Sequence, residues 1–215
     1  MGISKGWPNG HYIGRIGNII YYMLNGQYVS RTVGPRKKKA TLPQLRSRLK
    51  TSMSSKLLKQ FKPFFDIGLS IEVLNTNQNP FNMAVSINSR KMMKGIYPDF
   101  QIDYSEIELS RGILKKGENL KANATKKAIL FTWDAPEKMP WPESSDLVMM
   151  IANFPSKKRS IIKIGGDARN TGADQLKLPV SLQGHHAEVY IAFVAADRKQ
   201  VSDSTYLGSL TSPNP

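Results

Sequence analysis

Few residues in this chain are suited to chemistry, and they are scattered. The three histidines are the side chains whose ordinary titration falls near neutral pH: His11, among glycines, and the adjacent His185 and His186 after Gly184. Neighbouring side chains diverge at a turn, so the pair predicts an exposed loop and no metal site, even with Asp167 and Asp174 as conceivable co-ligands. Asp99 and Asp103 flank Phe100, close to Glu106 and Glu108, a grouping that raises the question of a carboxylate pair. The simpler expectation is acids on a loop and an outer strand face. Ser202-Asp203-Ser204 reads as the polar opening of a strand. Gly14-Arg15-Ile16-Gly17-Asn18 has the glycines of a phosphate-binding loop, but no Gly-Lys-Ser/Thr follows it. With no cysteine in 215 residues, thiolate nucleophiles, disulfides and thiolate zinc sites are excluded. Together these observations predict a non-enzymatic protein with no metal and no cofactor.

The distribution of charge is more informative. The formal net charge is +15, and residues 1–65 carry thirteen lysines and arginines with no Asp or Glu; Asp66 is the first acid. Beyond position 65 the balance is 18 basic against 16 acidic residues. Cations so segregated repel one another and predict a partner outside the chain. The expected polyanion contacts are Arg31, Arg36, Lys37, Lys38, Lys39, Arg46, Arg48, Lys50, Lys56 and Lys59. Interleaved aromatics, Trp7, Tyr12, Tyr21, Tyr22 and Tyr28, would pack in an assembly or stack on bases.

The elements that must position these residues follow from turn signals and periodicity. Residues 1–40 form a basic arm dense in glycine and aromatics, with a short hairpin of Ile19–Tyr22 and Gln27–Thr32 around Asn25-Gly26. Residues 41–104 read as a helical and mixed segment. Thr41 and Gln44 form a capping box for a helix over about 42–62, in which Leu45, Leu49, Met53, Leu57 and Phe61 recur every four residues and Pro63 ends or kinks the run. Ile67–Leu74 alternates as a strand. A second helix spans about 80–94, capped by Asn79, opened by Pro80 and stopped by Gly95. Residues 105–208 are all β, with strands predicted over 105–110, 127–133, 146–153, 159–164, 175–180, 187–195 and 201–207, and a tail over 209–215. Seven short strands separated by turns predict a seven-stranded antiparallel β-sandwich, in a chain that is mostly β with α.

Trp133-Asp134-Ala135-Pro136, Ala187–Ala195 and Val201-Ser202-Asp203-Ser204 resemble the fibronectin type III plan, one of the immunoglobulin-like sandwiches, over residues 105–208. That resemblance implies that Trp133 fills the core and that Tyr190 packs against it or fastens the end of the sandwich. The connection Met139-Pro140-Trp141-Pro142 is longer than that plan needs. The whole chain also resembles a family of uncharacterised Bacteroidota proteins. It does so through Gly14–Asn18 with Gly26 and Arg31, Asn79-Pro80-Phe81-Asn82, Tyr97-Pro98-Asp99-Phe100, Ile102–Ser105 followed by Leu109–Gly112, Phe131–Asp134 and Tyr206–Ser209. This second resemblance implies no activity.

Three uses of the basic third compete. The arm joins copies into a homo-oligomeric assembly and faces an anionic partner; it binds nucleic acid without sequence preference; or the amphipathic helix lies on an anionic membrane surface. An acidic protein surface serves as well as nucleic acid for the partner. The longest apolar run, Ile19–Leu24, is too short to span a bilayer, and the first residues lack the apolar stretch of a signal peptide. The expectation is therefore a cytoplasmic protein or a part of a phage-like particle, with no transmembrane segment.

Overall fold

The structure, a computed structural model, describes residues 2–5, 11–24, 26–35, 39–74, 76 and 78–213. The chain divides into two compact units, Met1–Leu45 and Arg46–Pro215.

In the first unit, β1 (Gly2–Lys5), β2 (His11–Ile16), β3 (Ile19–Leu24) and β4 (Gln27–Thr32) form one antiparallel sheet in chain order. The expected hairpin is its second half. The glycine-rich stretch before it is also a pair of strands, so the arm is a four-stranded sheet. The would-be phosphate loop is the turn from β2 to β3: Gly17 sits at φ +59°, which a tight hairpin requires, and Arg15 Nε donates to Gly17 O at 2.8 Å.

A helix, α1 (Leu42–Leu58), follows, and its start is half of the expected capping box, with Thr41 N donating to Gln44 Oε1 at 3.2 Å. It ends earlier than periodicity suggests. A 3₁₀ turn over Lys59–Phe61 breaks it, and α2 (Lys62–Gly68) begins again with Pro63 in its first turn, where a missing N–H is harmless. The strand expected over 67–74 is instead the end of α2 and the turns after it. Phe65 and Leu69 lie one helical turn apart and both are fully buried, so helical spacing wins over the alternation of Ile67, Leu69 and Ile71. Next, α3 (Pro80–Lys91) is capped as expected, Asn79 Oδ1 accepting from Asn82 N at 2.7 Å. It stops three residues short of the predicted end because β5 (Met93–Ile96) and β6 (Asp99–Ile102) form a small hairpin there.

The predicted strand over 105–110 joins no sheet. Ile107 and Leu109 are buried as the alternation requires, but the backbone is held by side chains: Glu108 N donates to Asn88 Oδ1 at 2.8 Å and Leu109 N to Ser204 Oγ at 2.8 Å. The seventh strand is supplied by β7 (Lys121–Ala124), followed by β8 (Ala128–Thr132), β9 (Leu147–Phe154), β10 (Arg159–Ala168), β11 (Ala173–Lys177), β12 (His186–Val194) and β13 (Thr205–Thr211). The last strand runs to Thr211 and takes in the start of the expected tail. These strands make two antiparallel sheets, a three-stranded one ordered β11-β8-β7 and a four-stranded one ordered β10-β9-β12-β13.

Two cores result. Ile129, Phe131, Trp133 and Leu176 from the smaller sheet meet Val148, Met150, Phe154, Val189, Ile191 and Phe193 from the larger one. The alternate residues of the same central strands, Met149, Ile151, Tyr190, Ala192 and Val194, face the other way onto Leu57, Leu58, Phe61, Phe64, Phe65 and Leu69. The four-stranded sheet is therefore buried on both faces, which is why β9 and β12 contain continuous apolar runs, Leu147–Ala152 and Val189–Val194. The helical segment is thus part of the β unit. Burial of each of these phenylalanines contributes roughly 1.5–3 kcal/mol.

Glycine is needed where backbones meet. A Cβ on Gly112 would lie 2.0 Å from Val201 O, where the chain after the run over 105–110 passes the segment that leads into β13. A Cβ on Gly166 would lie 2.2 Å from Asp174 Oδ2, at the bulge in β10.

Candidate interaction surfaces

Strand register sorts the side chains of the N-terminal sheet into two faces. The pairs Gly14↔Tyr21, Ile16↔Ile19, Tyr21↔Ser30 and Met23↔Tyr28 place Tyr12, Ile16, Ile19, Tyr21, Met23 and Tyr28 on one face. None of these is charged. Tyr12, Ile16 and Met23 are 49%, 45% and 51% exposed, and the Tyr12 and Tyr21 rings lie 6.4 Å apart. The opposite face carries Ile13, Arg15, Ile20, Tyr22, Val29 and Arg31, with Arg15, Ile20 and Arg31 in one cross-strand row. No side chain described in this unit is buried. Of the sequence-predicted residues here, Tyr21 and Tyr22 are half-buried, Arg31 and Lys39 are exposed, and Trp7, Arg36, Lys37 and Lys38 lie outside the described residues.

The cations of α1 do not form one face. An i, i+4 step advances about 40° around a helix, so the row Leu45, Leu49, Met53, Leu57 winds across it. Leu45 is exposed, Leu57 is buried, and the side turned to the sheet also includes Ser54 and Leu58. Arg46 and Lys50 share one side, where the Lys50 ammonium sits 4.9 Å from the centre of the Phe100 ring. Lys56 and Lys59 come round to a different place. They flank a groove of about 510 Å³ whose walls are Met53, Leu57, Gln60, Ile102, Tyr104 and Pro155, with Lys158 on the far rim. Gln60 is held there by the buried Asn153, whose Nδ2 donates to Gln60 Oε1 at 3.0 Å. Among the described residues, Arg46, Arg48, Lys50, Lys56, Lys59 and Lys158 make no ion pair. Sequence reasoning missed the groove because Lys158, Ile102 and Tyr104 come from distant parts of the chain.

The acids are used internally. Asp103 pairs with Lys94, and that hydrogen bond, with one from Ser105, holds its carboxyl below the usual range. Burial alone would raise the Glu108 carboxyl, but hydrogen bonds from Lys91 and Arg111 outweigh it and keep it lowered. Asp174, almost fully buried, accepts from Lys163 Nζ at 2.6 and 2.7 Å, from Asp167 N at 2.9 Å and from Gln175 N at 2.6 Å. These four bonds use the acceptor positions of its two oxygens. His186 opens β12 and lies 2.8 Å from Glu188 Oε1, while Tyr206 OH donates to Glu188 Oε2 at 2.5 Å. Burial and this hydrogen bond raise the Tyr206 phenol. Buried Arg169 donates to Lys115 O and Lys116 O at 2.9 Å each and stands 3.5 Å from Glu143 and Asp146. Burial raises Asp146 against the pull of that arginine. Among the described residues no group of three or more His, Asp and Glu could hold a metal ion.

Trp133 and Tyr190 occupy different cores. Trp133 lies between the two sheets, its Nε1 donating to Arg169 O at 2.6 Å, and the ring against it, edge-on at 5.5 Å, is that of Phe193. Tyr190 points to the helices, its ring tilted against those of Phe61 and Tyr206, and its OH donates to Tyr104 O at 2.7 Å. Successive residues on a strand face opposite ways, so Tyr190 and Phe193, an odd number of positions apart, cannot share a core.

The fold and these surfaces define a β-rich protein with helices, built of antiparallel sheets, whose cationic and apolar surfaces lie outside its ion-pair networks. The chain belongs to a family of unknown function, DUF6266, whose model matches residues 10–208. No curated protein matches it. Among the described residues no helix is long and apolar enough to cross a membrane.

Proposed function

We propose that this protein is a non-enzymatic building block of a homo-oligomeric assembly, and that its N-terminal sheet makes the contact between copies. One observation carries the reading: a four-stranded sheet in which no described side chain is buried presents an uncharged face of Tyr12, Ile16, Ile19, Tyr21 and Met23. A single sheet layer has to cover its apolar face to be stable. A second copy brings the same uncharged face, so an isologous pairing buries no ion. The other face, with Arg15 and Arg31 in a row, is then directed to an anionic partner. The three-plus-four antiparallel strand order supports reading residues 121–211 as a fibronectin type III-like sandwich carrying an added helical layer.

Light scattering coupled to size exclusion tests this on the full chain. The wild type is expected to be oligomeric and Ile16→Lys to fall to a lower order; a monomeric wild type at every concentration sinks the reading. Nonspecific nucleic-acid binding is the second reading, favoured by the Arg15–Ile20–Arg31 row and by the unpaired cations of α1. Its signature is affinity that falls steeply between 50 and 300 mM salt, at about one unit of log–log slope per phosphate contact, with the slope reduced in Arg15→Ala and Arg31→Ala. A flat dependence excludes it.

A further inference from the structure

The body of the protein carries a second pair of features that fit each other and lie at opposite ends of one strand. Before β9, the connection from Thr132 to Leu147 projects Trp141, which at 83% exposed is the most exposed large apolar side chain described. Flanking it are Met139, Pro140 and Pro142, with Asp134, Glu137 and Glu143 against the lone Lys138. After β9 lies the groove of about 510 Å³, apolar on its floor through Met53, Leu57, Ile102 and Pro155 and rimmed by Lys56, Lys59 and Lys158. Eight residues of extended chain separate the two by about 26 Å.

An exposed tryptophan between two prolines, whose φ angles are fixed by their rings, is an anchor that loses less backbone freedom when it docks. The groove has the volume of a small binding site and the opposite charge. Lys158 adds an independent sign: it holds the left-handed conformation, φ +51°, which glycine or asparagine would adopt at less cost. Glu143 is already near Arg169 and Asp134 accepts from Asn119 Nδ2 at 2.5 Å, so the acid that the loop offers outward is Glu137.

From this we infer that the Trp141 loop of one copy seats in the lysine-rimmed groove of a second copy. A contact between two different patches is heterologous and does not close on itself after one pair, so copies joined this way run head to tail along the direction of β9. The inference rests on the assembly reading above but uses a different surface, and the two can fail separately.

The chain has no cysteine, so a cross-link is unambiguous. Full-length Lys138→Cys and Ser156→Cys, both at exposed positions beside the two patches, are mixed with distinguishable tags under mild oxidation. A mixed disulfide is expected, and its yield should fall at least tenfold with Trp141→Ser in the loop copy or with Lys56→Glu and Lys59→Glu in the groove copy. Glu137→Lys in the loop copy should restore part of the yield against the charge-reversed groove. A yield unchanged by Trp141→Ser, or no higher than with that variant, overturns the inference. Both copies also carry Ile16→Lys in a parallel arm. A mixed disulfide that survives there while Ile16→Lys lowers the oligomeric order shows two independent contacts. If the wild type is oligomeric but the two cysteine variants give no mixed disulfide, the head-to-tail contact alone falls. If the wild type is monomeric by light scattering but the two cysteine variants cross-link specifically, the sheet contact falls and this one stands.

Discussion

The N-terminal sheet and the C-terminal body use the same local grammar of short antiparallel strands and tight turns, yet they stand on different energetics. In the body, β9 and β12 are buried on both faces, between Trp133 and Phe131 on one side and Phe61, Phe64 and Phe65 on the other. In the N-terminal sheet, not one side chain described is buried. The contrast follows from layering. A sheet gains stability from what packs on it, and the body has two such partners within its own chain. Charge follows the same division: acids such as Asp103, Glu108 and Asp174 pair within the body, whereas the N-terminal third contains no acid with which to pair.

Substitutions at matched aromatic positions should break this comparison most sharply. Phe61→Ala removes a fully buried ring that touches Phe65 and Tyr190, and is expected to destabilise the body by about 3–5 kcal/mol in chemical denaturation. Tyr12→Ala, on the sheet, should change the stability of the body by less than about 0.5 kcal/mol while weakening self-association. Equal effects on stability would show that the sheet is held as the body is.

Next in size is Arg169→Met. It withdraws two donors from Lys115 O and Lys116 O, and it leaves Asp146 buried without its cation. A loss of about 3 kcal/mol is expected, read as a shift in the denaturation midpoint without a change in slope. Asp146→Asn in the same chain should recover part of it.

The smallest effect is on pH dependence. Asp103 and Glu108 have lowered folded pKa values, so their contribution is present above the ordinary carboxylate range near pH 4 and is lost as pH falls through the folded values. Asp146, raised by burial, has the opposite sign: its contribution is present below the unfolded value and lost as pH rises through the folded one. Two against one, the body should lose stability between about pH 5 and pH 2, and Glu108→Gln should flatten the profile. Self-association through the N-terminal sheet, which has no carboxylate, should add no titration in that window while the body stays folded.

Local signals were readable wherever they were closed within a few residues. The β3–β4 hairpin with Gly26 in its turn, the Asn79 cap on α3, and strands β8, β9, β10 and β12 all follow from side chains next to one another in the chain. Strands β1, β2 and β7 were not, since glycine-rich or short segments such as Lys121–Ala124 carry little pattern of their own. The run over 105–110 shows the converse: alternation reports which side is buried, and Ile107 and Leu109 obey it, but it does not say whether a sheet or the side chains of Asn88 and Ser204 will take the backbone bonds. One legible signal went with the missed helical layer. The unbroken apolar runs of β9 and β12 require cover on both faces.

By itself the sequence determined the segregation of charge, the absence of thiol chemistry, the β-rich class and the aromatic character of the N-terminal strands, because composition and nearest-neighbour spacing need no partner. Tertiary structure alone decided which core receives Tyr190, that Lys56 and Lys59 leave the other helix cations to join Lys158, and that Trp141 stands at the far end of the strand that leads to them. Those are meetings of residues far apart in the chain. Their free energy comes from burying and pairing surfaces that exist only once the layers are stacked.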